Sequence, residues 1–171
     1  MRDENESAAR DQPGKDEENA LKQLLEGRPG FEQRVGDYTI AVATGGARGA
    51  WVWHAGALHW RKPSTGENQH VDVVVRDAAD GRFIPGLSVY VTLATPGGQE
   101  LGTKVQPFLW HPFLYHYGAN WCIPEEGDYN VTVRVEPATF PRHGKEMGER
   151  YTLEAVALFT GLHMSPAVEE E

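Results

Sequence analysis

The 171-residue chain has one cysteine, Cys122. A single thiol excludes an internal disulfide and any zinc or iron–sulfur centre built on several cysteines. Between Trp121 and Ile123 it reads as a small buried hydrophobe. Basic clusters are also missing. The formal net charge is −9 and no run of Lys and Arg occurs, which excludes nucleic acid as a partner, since phosphate binding needs clustered cations. No apolar run is long enough to span a membrane, and residues 1–19 lack the apolar stretch of a signal peptide. There is no internal repeat. The glycine cluster Gly45-Gly46-Ala47-Arg48-Gly49 is not followed by a helical pattern, so it reads as a turn and not a phosphate cradle. No nucleophile stands beside a base, and a catalytic role is not visible.

What is present suffices for one domain with a real core. Residues 1–19 hold seven acids, three bases and no large apolar side chain besides Met1, too little to offset the entropy of ordering. They are expected to form a disordered tail or linker. Residues 20–36 should contain a short helix, with Leu21, Leu24 and Leu25 on one side and Gly27 as its stop, followed by a connection. From 37 to 164 the dominant period is two. Strands are predicted over 38–44, 50–60 (with Trp51 and Trp53 on one face), 70–76, 87–93, 129–135 and 151–159, with turns at Asp80-Gly81 and Pro96-Gly97-Gly98. Residues 165–171 read as a tail. The fold class implied is all-β, an antiparallel immunoglobulin-like β-sandwich.

Chemistry concentrates in the histidines. His70 and Asp72, two apart on a strand, share a face about 6.5–7 Å apart, while Val71, Val73 and Val75 take the other. His116 stands in the phrase Tyr115-His116-Tyr117-Gly118-Ala119-Asn120, where aromatic walls restrict its rotamers, Gly118 permits close backbone packing and Asn120 can brace a turn. His143 follows Pro137 and Pro141 on a stiff arm, beside Arg142, a candidate partner for Asp72. Imidazole and carboxylate are standard ligands of divalent transition metals. Each residue also has an ordinary explanation: a polar strand face, a loop tether, a surface loop. His54 and His59, five apart in one predicted strand, should fall on opposite faces and be structural; His163-Met164 has tail-like surroundings. Asp77 and Asp80 read as a turn, lacking the further acids of a calcium loop.

Together these phrases resemble the periplasmic ferrous-iron transport proteins, small immunoglobulin-like copper-binding proteins encoded with iron permeases. That family has a His-x-Glu pair on a strand, a Pro-His-Tyr-Gly-x-Asn phrase, and an Arg-His after the next strand. The counterparts here are His70-Val71-Asp72, His116-Tyr117-Gly118-Ala119-Asn120 and Arg142-His143. The resemblance spans residues 70–143 and, more loosely, 37–159. It implies a metal set of His70, Asp72, His116 and His143, with copper as the ion. Two departures stand out: Asp72 replaces glutamate, and Leu109 occupies the place of a methionine ligand seven residues before the central histidine. Loss of the thioether leaves a harder set that suits Cu(II), zinc, iron(II) or manganese. His111 is a candidate fifth ligand. The resemblance further implies a non-enzymatic protein exported to the periplasm or the outer side of a membrane, its leader removed. A membrane iron permease as partner and a homodimer sharing a site also follow from it. Two alternatives remain open: an adhesion or carbohydrate-binding module using Trp51, Trp53, Trp60, Trp110 and Trp121, and a small metalloenzyme with an open metal position.

Overall fold

The computed structural model describes residues 2–26, 30–146 and 148–169. A helix, α1 (Arg2–Leu25), precedes β1 (Gly30–Val35), β2 (Tyr38–Gly45), β3 (Ala50–His54), β4 (Ala57–Arg61), β5 (Gln69–Asp77) and β6 (Val89–Ala94). Then follow β7 (Glu100–Val105), β8 (Phe108–Leu109), β9 (His116–Trp121), β10 (Gly127–Val135) and β11 (Ala155–Met164). One sheet has the order β1-β2-β5-β9-β8, a second β11-β10-β6-β7, and β3-β4 form a separate hairpin; the strand pairs are antiparallel. Alternation explains the layering. Val71, Val73 and Val75 from the first sheet meet Val91, Leu93, Val131 and Val133 from the second in one shared core. Each such side chain contributes about 1.5–3 kcal/mol on full burial. The architecture is therefore sandwich-like.

β5 is the middle strand of its sheet, and all nine of its residues are buried. A second layer covers its outer face. Helix α1 supplies part of it: Leu21 joins the core, and the Glu17 carboxylate accepts the Phe83 amide N–H. Gly14 approaches the Asp80 turn so closely that a Cβ there would lie 1.8 Å from the Asp80 carbonyl oxygen. The helix is thus longer than the sequence implied, covering much of the segment expected to be disordered. Its charged composition gives no apolar stripe; these few tertiary contacts hold it, as is usual for helices with weak patterns of their own. Gly27, its expected stop, lies outside the described residues.

Five other expectations change. Residues 50–60 are two strands, because Ala55 (φ 50°) and Gly56 (φ 83°) make a tight two-residue turn. The hairpin register places His54 and His59 on the same face, with ring centroids 6.3 Å apart. Cys122 is exposed: Trp121 and Ile123 both point inward, so alternation turns the residue between them out. The last strand runs through His163-Met164, with Met164 buried and His163 held between Asp128 and Glu126. Nor does the segment after it hang free of the domain, since Ala47 and Ala167–Glu169 exchange backbone hydrogen bonds.

Candidate metal centre

In the β5–β9 register, Asp72 lies opposite Gly118 and His70 opposite Asn120, which puts His70, Asp72, His116, Gly118 and Asn120 on one face. Glycine is required at 118 for space and not for a special φ. A Cβ there would lie 2.7 Å from His70 Nε2 and 3.1 Å from Leu109 Cδ1.

The three functional side chains meet at one oxygen. His70 Nε2 is 3.1 Å and His116 Nε2 3.0 Å from Asp72 Oδ1. Each imidazole is held from behind: His70 Nδ1–H donates to Asn120 Oδ1 at 2.7 Å, and His116 Nδ1–H donates to the Leu114 carbonyl at 3.1 Å. A histidine that gives its Nδ1 proton to an acceptor presents the Nε2 lone pair forward, as metal-ligating histidines do. His70 Nε2 is buried and makes no hydrogen bond. Donor atoms at right angles on one ion, each about 2.0–2.2 Å from it, lie about 3 Å apart. The spacing and the chemistry of this donor set therefore fit a divalent transition metal, and all three donor atoms lie within 4.8 Å of one another. Asp72 is 1% exposed, so any ion here is nearly stripped of solvent.

Electrostatics reinforces the cluster. Burial pushes the Asp72 carboxyl up, but contacts with His116 and His70 outweigh it and hold the group far below the usual carboxylate range. For His116 burial opposes protonation, yet the Asp72 contact prevails and raises its pKa above the ordinary 6.5. The sign of the pH dependence follows. A ligating histidine must be neutral, so proton competition for the metal sets in above pH 6.5 as pH falls. The metal-free protein loses the His116–Asp72 contribution as pH rises through the raised His116 pKa. The gain in Tm on adding Zn(II) should therefore grow from mildly acid to mildly alkaline pH; scanning calorimetry showing a pH-independent gain would exclude His116 as a ligand.

The remaining sequence-selected residues are placed as follows. Leu109 lies beside His70, where the methionine was expected, and supplies no sulfur. The His111 ring centroid is 6.1 Å from that of His116, and its Nδ1 accepts the Phe113 amide N–H. His143 is exposed in the connection from β10 to β11, outside the cluster within this chain. Arg142 does not reach Asp72; its guanidinium donates to the carbonyls of Ala138, Phe140 and Arg150. The cation at Asp72 is instead Arg48, with Nη2 3.7 Å from Asp72 Oδ2. Asn120 fixes that loop too, its Nδ2 donating to the Arg48 carbonyl. The only sequence signal for Arg48 was its place in the turn leaving β2, whose Gly45 pairs with His70.

No protein-family model and no curated protein matches the sequence. Solved structures do. FetP from uropathogenic E. coli, expressed in the periplasm, superposes with a TM-score of 0.58 at 18% identity, over 81% of this chain and 97% of FetP. A copper-bound variant of Campylobacter jejuni P19 gives 0.65 at 12% identity, over 83% and 98%. In fold, this chain is similar to FetP and P19. A second copper-bound P19 variant agrees, at 0.64 and 14% identity over 81% of this chain. FetP and P19 are matched almost end to end, while about a fifth of this chain lies outside the superposition.

Proposed function

We propose that this chain is a non-enzymatic binding protein for a divalent transition metal, Cu(II) foremost, that serves iron uptake on the outer side of a membrane. The observation that carries the reading is the convergence of His70, Asp72 and His116, both imidazoles tethered at Nδ1, in a buried site. The copper in P19 and the periplasmic expression of FetP support it, as does the resemblance of residues 70–143 to the ferrous-iron transport family, which supplies the permease as partner. Two antiparallel sheets around one core support a sandwich of the immunoglobulin type. With Leu109 at the site, Cu(II) or Zn(II) is preferred over Cu(I), for want of a thioether.

We assign the working form to a homodimer. The β3–β4 hairpin exposes Trp51 (66%), Trp53 (69%) and Leu58 on one face, an apolar surface suited to a second copy. In such a pair His143 of one protomer completes the ligand set of the other. Protein purified without a histidine tag should bind one Cu(II) per chain. His116→Ala should lower the affinity by more than about tenfold, and His143→Ala should weaken it in the sedimenting dimer but not in a Trp51→Ser/Trp53→Ser monomer. Calorimetric titration with unchanged affinity in His116→Ala would remove the site; an equal effect of His143→Ala in both forms would remove the shared ligand.

A further inference from the structure

We propose that the exposed segment 166–169 is a strap that positions the metal centre, acting through the Arg48 peptide and Asn120 to fix which nitrogen of His70 faces the ion. The inference rests on the metal-binding reading and adds Asn120 and the strap to it as positioning elements.

The route starts at one end of the first sheet. Gly45 of β2 pairs with His70, and His70 pairs with Asn120 of β9, so this ligand sits where three strands end or begin. The strap crosses that end. Ala167 N–H donates to the Asn68 carbonyl at 2.7 Å, Ala47 N–H to the Ala167 carbonyl at 2.8 Å, and Glu169 N–H to the Ala47 carbonyl at 2.8 Å. Asn68 is tied in turn to the end of β9, its side-chain amide exchanging two hydrogen bonds with the Ile123 backbone. Gly46 leaves no slack between them: a Cβ there would lie 3.1 Å from Glu169 Cγ and 3.2 Å from the Ala167 carbonyl oxygen. Ala47 is fully buried as a result.

Fixing Ala47 fixes the next peptide. Arg48 N–H donates to Asn120 Oδ1 at 3.3 Å, and Asn120 Nδ2 donates to the Arg48 carbonyl at 2.8 Å. A flipped amide would set donor against donor and acceptor against acceptor, losing both bonds. The Arg48 backbone therefore dictates that Asn120 shows its oxygen to His70 Nδ1, 2.7 Å away. Only a protonated Nδ1 can face that oxygen, and in the neutral ring Nε2 then carries the lone pair a metal needs. Asp72 pulls the other way. Its Oδ1 is 3.1 Å from Nε2, and a carboxylate there favours a proton on that nitrogen, which would block the ion. Asn120 decides between the two tautomers.

The two ends of this route differ in firmness. Lys104, from the second sheet, donates to the Asn120 carbonyl at 2.8 Å and holds that backbone in place. The strap is exposed along residues 166–169, and exposed backbone hydrogen bonds open at low free-energy cost. Its attachment therefore sets how much of the protein carries His70 in the metal-ready form. Glu169 adds a charge contact, Oε1 lying 3.6 Å from Arg48 Nη2, which has to be separated from its backbone bond.

Nitrogen-15 resonance of the metal-free full chain at about pH 9, where an ordinary histidine is neutral, reads the tautomer, and Cu(II) titration reads affinity. Wild-type His70 should carry its proton on Nδ1. Asn120→Leu should mix the tautomers and weaken Cu(II) by ~10–100-fold, whereas Asn120→Asp keeps the accepting oxygen and should restore the wild-type tautomer. Glu169→Pro removes the strap's donor to Ala47; it should mix the tautomers and weaken Cu(II) by at least about fivefold. Glu169→Gln loses only the charge and should bind as the wild type does. In the Asn120→Leu background Glu169→Pro should add nothing, because both act on one route. A wild-type His70 protonated on Nε2 overturns the proposal without any variant. So does a Glu169→Pro protein that binds as the wild type, or one whose loss is equal in both backgrounds. Gly46→Ala, whose methyl crowds the strap, should act in the same direction and replaces Glu169→Pro if that variant does not fold. Absence of Cu(II) binding to the wild type removes the metal reading, and the tautomers of the metal-free variants still decide the positioning route.

Discussion

Asp72→Asn should be the most damaging single change at the site, lowering both metal affinity and metal-free stability. The carboxylate contacts both imidazoles and faces Arg48, all in a region with almost no solvent. Asparagine keeps the shape and removes the charge. Metal affinity should fall by more than the ~10–100-fold typical of losing a group that merely orients a ligand. Breaking a buried ion pair from one side costs ~3–5 kcal/mol, because the partner charge is left without compensation. His116 can shed its proton and Arg48 cannot. The destabilisation should therefore be larger at pH 6, where wild-type His116 is charged, than above its raised pKa. Urea unfolding at both pH values measures the difference, and an equal loss at each would mean that His116 is not charged by Asp72.

Gly118→Ala should weaken metal binding and lower the stability of the metal-free protein. On an extended strand alanine is tolerated, and it loses less backbone entropy on folding than glycine does, an advantage of roughly 0.4–1 kcal/mol. The new methyl, however, would sit 2.7 Å from His70 Nε2, the atom that faces the metal. His70 cannot simply swing aside, since its Nδ1 is bonded to Asn120 at 2.7 Å. The expected result is a lower Tm without metal, because overpacking costs ~1–3 kcal/mol, and at least about a tenfold weaker Cu(II) affinity, the scale of a disturbed ligand. A variant that binds copper as the wild type does would show that His70 Nε2 points elsewhere.

The legible parts of this protein were those written in short-range pattern. The Val71-Val73-Val75 and Val131-Val133-Val135 alternations gave the two core-facing strands, because a pleated strand converts period two directly into sidedness. His70 and Asp72 were legible for the same reason, and the strand carrying His116 proved to be their immediate neighbour. What escaped depends on long-range geometry. Arg48 reaches Asp72 only through a loop that Asn120 holds in place. Helix α1 is held by Gly14, Glu17 and Leu21 against parts of the chain far away in sequence. The hairpin turn opens with Ala55 at positive φ, a residue that carries no turn signal, so the two strands read as one. That error alone put His54 and His59 on opposite faces.

The position of β5 has a kinetic consequence. As the central strand of its sheet, buried on both faces, it belongs to the part of the molecule whose amides exchange with solvent last, through near-global unfolding. Local openings that fray β1 or β8 leave His70 and Asp72 in place. On the proposed reading, an ion held by His70, Asp72 and His116 would have a residence time set by its cover, the 110–114 segment and the C-terminal turns of α1, and not by breathing of the sheet. Handover of a metal so held would be a matter of lifting that cover, and a partner that displaced it would release the ion from a framework that stays folded throughout.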